Sequence, residues 1–132
     1  MKNLDGIFTA LLTPFDKYGN INKAELCHLV DHNLKMGVRG FYVTGSTGEA
    51  FSLSEEERMM IMETVRNRAP EATLIAHVGS LDERVAKRLA LRARELGYDL
   101  VSSVAPFYYK FSFSEIKGYY ERIADTSEKL NL

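Results

Sequence analysis

Four times along this chain a short apolar run gives way to Asn or Ser, with Glu three residues later. The pairs are Asn22 and Glu25, Ser54 and Glu57, Ser80 and Glu83, and Ser112 and Glu115. That spacing opens a helix, because the first side chain accepts from a free amide of the first turn and the Glu reaches back to the cap. The signals stand 32, 26 and 32 residues apart. A strand and a helix repeated at about thirty residues specify an α/β fold, with a parallel sheet and right-handed crossovers.

The apolar runs 6–12, 41–44, 73–78 and 100–104 are the expected strands. The first helix should run from its cap at Asn22 to about Met36 and stop at Gly37, burying Leu26, Leu29, Val30, Asn33 and Leu34. The second should run from Ser54 to about Arg68, with Met59, Met60, Ile61, Met62 and Val65 as its apolar positions. The third should span from Ser80 to Leu96 and stop at Gly97, and the fourth from Ser112 to about Ala124. The 132 residues therefore read as a single domain, 1–132. Four units fit either a small doubly wound sheet or half of an eight-unit barrel, whose usual length is ~250 residues. Both architectures bind ligands at the C-terminal ends of the strands.

At one such end stands Gly45-Ser46-Thr47-Gly48-Glu49. Backbone amides of a glycine-bracketed turn can face an anion, and the hydroxyls of Ser46 and Thr47 add donors. A small carboxylate suits such a turn, although many glycine turns bind nothing. The Gly-Lys-Ser/Thr ending of a phosphate loop is absent, as is the dinucleotide fingerprint. At another strand end lies the aromatic loop Pro106-Phe107-Tyr108-Tyr109.

Charge gives no support for a polyanionic partner. The net charge is −1 with no basic block, which gives nucleic acid and anionic membrane no support. No apolar run approaches the ~20 residues that span a bilayer. The start, Met1-Lys2-Asn3-Leu4-Asp5, lacks the apolar segment of a leader, and the single Cys27 reads as a packing residue. These features predict a cytoplasmic protein. His28 and His32 share a helix face without a third ligand, so no metal site is expected. His77, at a strand end, is either a pocket residue or a hydrogen-bonded barrel residue. Glu49 is expected to bond loop amides rather than act as a base. Tyr119, Tyr120 and the methionines at 59, 60 and 62 are expected in core or interface contacts.

Three stretches together resemble the N-acetylneuraminate lyase and dihydrodipicolinate synthase family. They are Gly6-Ile7-Phe8-Thr9-Ala10-Leu11-Leu12-Thr13-Pro14-Phe15, the 45–54 segment, and Ala105-Pro106-Phe107-Tyr108-Tyr109-Lys110-Phe111-Ser112-Phe113. Within the family the last stretch is most similar to the sialic acid lyases. The resemblance implies a (β/α)₈ barrel, in tetramers built as dimers of dimers, that cleaves or condenses pyruvate adducts through a Schiff base without a further cofactor. It implies that Ser46 and Thr47 hold the pyruvate carboxylate, that Ser46 also joins a tyrosine hydrogen-bond chain, and that Tyr109 reaches across a subunit interface. The family's fifth-strand tyrosine and sixth-strand lysine fall beyond Leu132. On this resemblance the chain is expected to be the first four βα units, a half-barrel with the carboxylate grip but not the nucleophile. Its partners would be a small substrate such as pyruvate or sialic acid, and either further copies or the C-terminal half. Another 2-keto acid aldolase of the family, such as dihydrodipicolinate synthase, and a non-catalytic βα binding or scaffold domain are the alternatives.

Overall fold

A computed structural model describes residues 4–127. Strands β1 (Phe8–Ala10), β2 (Gly40–Val43), β3 (Thr73–His77) and β4 (Leu100–Ser102) alternate with helices α1 (Lys23–Lys35), α2 (Glu55–Arg68), α3 (Glu83–Glu95) and α4 (Phe113–Ser127). A short 3-10 turn, Ala50–Ser52, precedes α2. The sheet is parallel, in the order β1-β2-β3-β4. A doubly wound sheet reverses its strand order partway. This one does not, so right-handed crossovers stack all four helices on one side. Of the two architectures open to the sequence, the barrel segment is the one observed.

Register separates two faces. Ala10, Tyr42, Ile75 and Leu100 stand side by side across the sheet. Strand alternation puts Phe8 on their face and Phe41, Val43, Leu74, Ala76 and Val101 on the other. The second set is at most 2% exposed and packs on helix residues such as Leu26, Ile61 and Leu89. Burying each such large side chain contributes about 1.5–3 kcal/mol. The core therefore lies between sheet and helices. On the opposite face Phe8, Tyr42 and Ile75 are half-buried and Ala10 is exposed.

Helix starts follow the capping pattern at three of four places. Asn22 accepts from the Glu25 amide at 3.1 Å. Ser54 and Glu57 form a reciprocal box at 3.1 and 2.7 Å. Ser112 and Glu115 do the same at 3.4 and 2.7 Å. The third differs from the expectation. Asp82, not Ser80, caps α3 and accepts from the Arg84 amide at 2.9 Å. Ser80 lies outside the helix because the Tyr119 hydroxyl engages its backbone at 3.2 Å. Glu83 instead pairs with Lys87 and Arg122. Helix α4 also runs on past Ala124 to Ser127. Gly37 and Gly97 end α1 and α3 with φ of +84° and +71°, which a side chain would strain. In α1, Leu26 and Val30 are buried as expected, whereas Leu34 is 37% exposed. Asn33 binds Thr9 of β1 through a 2.8 Å hydrogen bond.

Ion pairs tie neighbouring helices on the outside: Asp31 with Arg68, Glu55 with Arg88, Glu63 with Arg92, and Glu83 with Arg122. No helix among the described residues is long and apolar enough to cross a membrane.

Candidate functional site

The site is built where β2 stops. Thr44 leaves the sheet with φ of 54° and is 1% exposed. Its hydroxyl lies 2.7 Å from the Val43 carbonyl and 3.0 Å from that of His77, so the turn is anchored to β3. Next, the Gly48 amide donates to the Gly45 carbonyl at 3.0 Å, the Glu49 amide to Ser46 at 3.0 Å, and the Ala50 amide to Gly45 at 3.2 Å. A turn closed this way uses the outer amides and leaves the central ones free. The amides and the hydroxyls of Ser46 and Thr47 accordingly have no partner among the described residues, and both residues are exposed.

The two glycines are there for space. A Cβ on Gly45 would fall 2.5 Å from the Tyr42 ring, and one on Gly48 would fall 2.8 Å from the Leu11 carbonyl. The Thr13 hydroxyl donates to the Gly48 carbonyl at 2.7 Å and pins the turn to the segment that follows β1. Sequence expectation fails at Glu49. It sits at φ of 59°, before the 3-10 turn, and its carboxylate makes no cap bond to loop amides. The backbone bonds just described already close the loop without its side chain.

His77 proves to be the hydrogen-bonded barrel residue. It is 1% exposed, with Nδ1 3.0 Å from the Thr44 carbonyl and Nε2 3.4 Å from the Val104 amide. Its ring meets those of Tyr42 and Phe51, at centroid distances of 6.1 and 5.8 Å. Phe51 in turn meets Phe107 at 5.0 Å. Burial, and then the charge of Arg58, push the His77 pKa down to about 4.

Tyr109 stands apart from Ser46 and Thr47. It is 71% exposed and stacks edge-on with Tyr108 at 4.9 Å and with Phe111 at 6.3 Å. Tyr119 is buried as expected, with its hydroxyl on Ser80 and 3.1 Å from that of Ser103. Met62 is fully buried, and Met59 and Met60 are half-buried. His28 is exposed and lies 3.5 Å from Glu25; no group of three His, Cys, Asp or Glu residues could hold a metal among the described residues. No described lysine lies on a strand: Lys17 is in a turn, Lys23 and Lys35 on α1, Lys87 on α3, Lys110 in the aromatic loop and Lys117 on α4. Lys2 and Lys129 lie outside the described residues.

Two features escaped the sequence reading. One is the Tyr42 hydroxyl, 2.7 Å from that of Ser102 on the open face. The other is Arg58, 3% exposed although it follows three glutamates. Its guanidinium donates to the Gly79 carbonyl at 3.0 Å and to that of His77 at 2.7 Å, and burial lowers its pKa to about 10. The signal was present: 58, 61, 62 and 65 follow the helical period, so Arg58 shares a stripe with Ile61, Met62 and Val65.

A sequence profile of the dihydrodipicolinate synthetase family matches residues 3–132. The N-acetylneuraminate lyase of Actinobacillus pleuropneumoniae serotype 5b (strain L20) is 50% identical over 133 residues, covering 98% of this chain and 46% of that protein. A Clostridium difficile protein solved in complex with mannosamine superimposes with a TM-score of 0.96 at 45% identity, over 98% of this chain and 46% of that one. An Escherichia coli K12 prophage protein of the dihydrodipicolinic acid synthase family, solved in complex with pyruvate, gives a TM-score of 0.89 at 28% identity, over 93% and 42%. The chain thus spans about half the length of the relatives it matches, and its four βα units correspond to half of a (β/α)₈ barrel.

Proposed function

We propose, because the chain belongs to the dihydrodipicolinate synthetase family, that it is the N-terminal, carboxylate-binding half of a class I pyruvate aldolase that cleaves N-acetylneuraminate. The observation that carries this reading is the 45–48 turn, whose two central residues keep their amides and hydroxyls free at the C-terminal end of the sheet. Ser46 and Thr47 would hold the pyruvate carboxylate, each through charge-assisted hydrogen bonds. The choice of sugar rests on the lyases and the mannosamine complex among its relatives; the choice of keto acid rests on the pyruvate complex.

The chemistry divides between two halves of a barrel. A lysine on the complementary units condenses with the keto carbon of the substrate to a protonated imine, which is an electron sink. The adjacent carbon–carbon bond breaks, the aldehyde N-acetylmannosamine leaves, and its electron pair remains as the enamine of pyruvate. Protonation and hydrolysis of that enamine release pyruvate. The contribution of this chain is orientation: fixing the carboxylate aligns the breaking bond with the imine π system. Ser46 also passes a hydrogen bond to a tyrosine of the complementary units, where proton transfer would contribute ~10²–10⁴-fold. Tyr109, exposed on its own chain, would serve the site of a neighbouring subunit in a cytoplasmic homo-oligomer.

Borohydride trapping with pyruvate, followed by intact mass, tests the division of labour. The chain alone should gain no pyruvate adduct. Assembled with the C-terminal portion of the A. pleuropneumoniae lyase, it should support an adduct on that portion. A stable adduct on this chain would overturn the proposal.

A further inference from the structure

Two rim loops, one after β2 and one after β4, meet at a single buried ring. His77 ends β3 between them. Its Nδ1 is 3.0 Å from the Thr44 carbonyl, two residues before Ser46, and its Nε2 is 3.4 Å from the Val104 amide, which begins the aromatic loop. A carbonyl can only accept and an amide can only donate. These two partners therefore agree on one neutral tautomer, with the proton on Nδ1 and the lone pair on Nε2.

Arg58 holds the ring's backbone in place. Its Nη2 donates to the His77 carbonyl at 2.7 Å, the same oxygen that the Thr44 hydroxyl reaches at 3.0 Å. Its Nη1 donates to the Gly79 carbonyl at 3.0 Å. The Nη2 atom also lies 3.4 Å from His77 Nδ1, but the Thr44 carbonyl at 3.0 Å is the closer partner of that nitrogen. A second proton on the ring would set Nε2–H against Val104 N–H and add a charge beside the guanidinium. Gly79 makes room for the arrangement, since a Cβ there would fall 2.9 Å from Nε2.

We propose that His77 is a positioning residue: held in the Nδ1–H form by the Thr44 carbonyl and the Val104 amide, with its backbone fixed by Arg58, it ties the Ser46–Thr47 turn to the aromatic loop that carries Tyr109. The carboxylate donors and the aromatic loop then move as one unit rather than as independent loops. The importance of that unit for catalysis rests on the proposed function; the wiring itself does not.

The test uses the full 132-residue chain labelled with ¹⁵N. His77 should show a protonated Nδ1 and an unprotonated Nε2 as a single species near neutral pH. His77→Asn keeps a donor near the Nδ1 position and loses the Nε2 acceptor, so the Val104 amide should shift more than those of Ser46 and Thr47. His77→Gln, whose amide extends to the Nε2 position, should reverse that order. Arg58→Met should shift both loops together. If that variant does not fold, Gly79→Ala serves instead, displacing the ring while Arg58 remains and again shifting both loops. An Nε2–H ring in the parent, or loops that ignore all of these changes, would overturn the inference. Pyruvate takes no part in these readouts. A chain wired this way whose Ser46 and Thr47 ignore pyruvate even when assembled with C-terminal units would keep the inference and lose the function.

Discussion

Acid should weaken this fold through His77 before most of its carboxylates titrate. Burial first, and the Arg58 guanidinium second, lower the ring's pKa from 6.5 to about 4. The depressed value means that the unfolded chain takes up a proton which the folded chain refuses. Stability is therefore full above about pH 6.5 and falls as pH drops towards 4. A gap of about 2.5 units corresponds to about 3 kcal/mol, of which about 2 kcal/mol is lost between about pH 7.5 and pH 5. The charged group facing the ring is Arg58; Tyr42 and Phe51 supply aromatic faces. The exposed His28 and His32 remain in any variant and cancel in a comparison. Urea unfolding at fixed protein concentration reads the effect. With a slope of about 2 kcal/mol per M, the parent midpoint should fall by about 1 M over that range. His77→Gln should lose most of that fall, whatever its stability at neutral pH. Equal acid sensitivity in parent and variant would refute the reasoning.

Other consequences are as direct. In the aldolase completed by its C-terminal units, Thr47→Ala should lower kcat/KM by about 10–100-fold, because one hydrogen bond to a charged group is worth about 1.5–3 kcal/mol; unchanged kinetics would remove Thr47 from the site. Gly48→Ala should displace the turn, because its Cβ would fall 2.8 Å from the Leu11 carbonyl, a backbone atom; unshifted Ser46 and Thr47 amides would show that the turn has slack. The chain alone should not sediment as a monomer at low micromolar concentration, since Phe8, Tyr42 and Ile75 lie on an uncovered face and β1 and β4 are open edges. A monodisperse monomer with all four strands protected from hydrogen exchange would contradict that.

The architecture was legible because its signals are local. Caps at Asn22, Ser54 and Ser112 and stops at Gly37 and Gly97 each depend on residues within one turn. The start of α3 was misplaced because a contact distant in sequence, Tyr119 on the Ser80 backbone, competes with local capping and Asp82 offers a carboxylate two residues on. Which of Ala10 or Leu11, and Tyr42 or Val43, lies on the open face needed the register between strands. The register puts Ala10 and Tyr42 there and buries Leu11 and Val43 in the core. In the candidate site, Ser46 and Thr47 were readable from a glycine-bracketed turn. Arg58 was not, because three preceding glutamates disguise its place on the apolar stripe of α2. The role of Glu49 was misread because backbone bonds close the turn without its side chain.

The central claim is that the 45–48 turn grips a carboxylate. Comparing pyruvate with methyl pyruvate tests it most directly, because the ester keeps the ketone and removes the charge. The amide resonances of Ser46 and Thr47 would be followed in the ¹⁵N-labelled chain assembled with the complementary C-terminal units. Pyruvate should shift both, methyl pyruvate should leave them near their free positions, and Thr47→Ala should reduce the response. If the ester shifted them as far as the acid, or if pyruvate formed its lysine adduct while both amides stayed still, the turn would not be the carboxylate site.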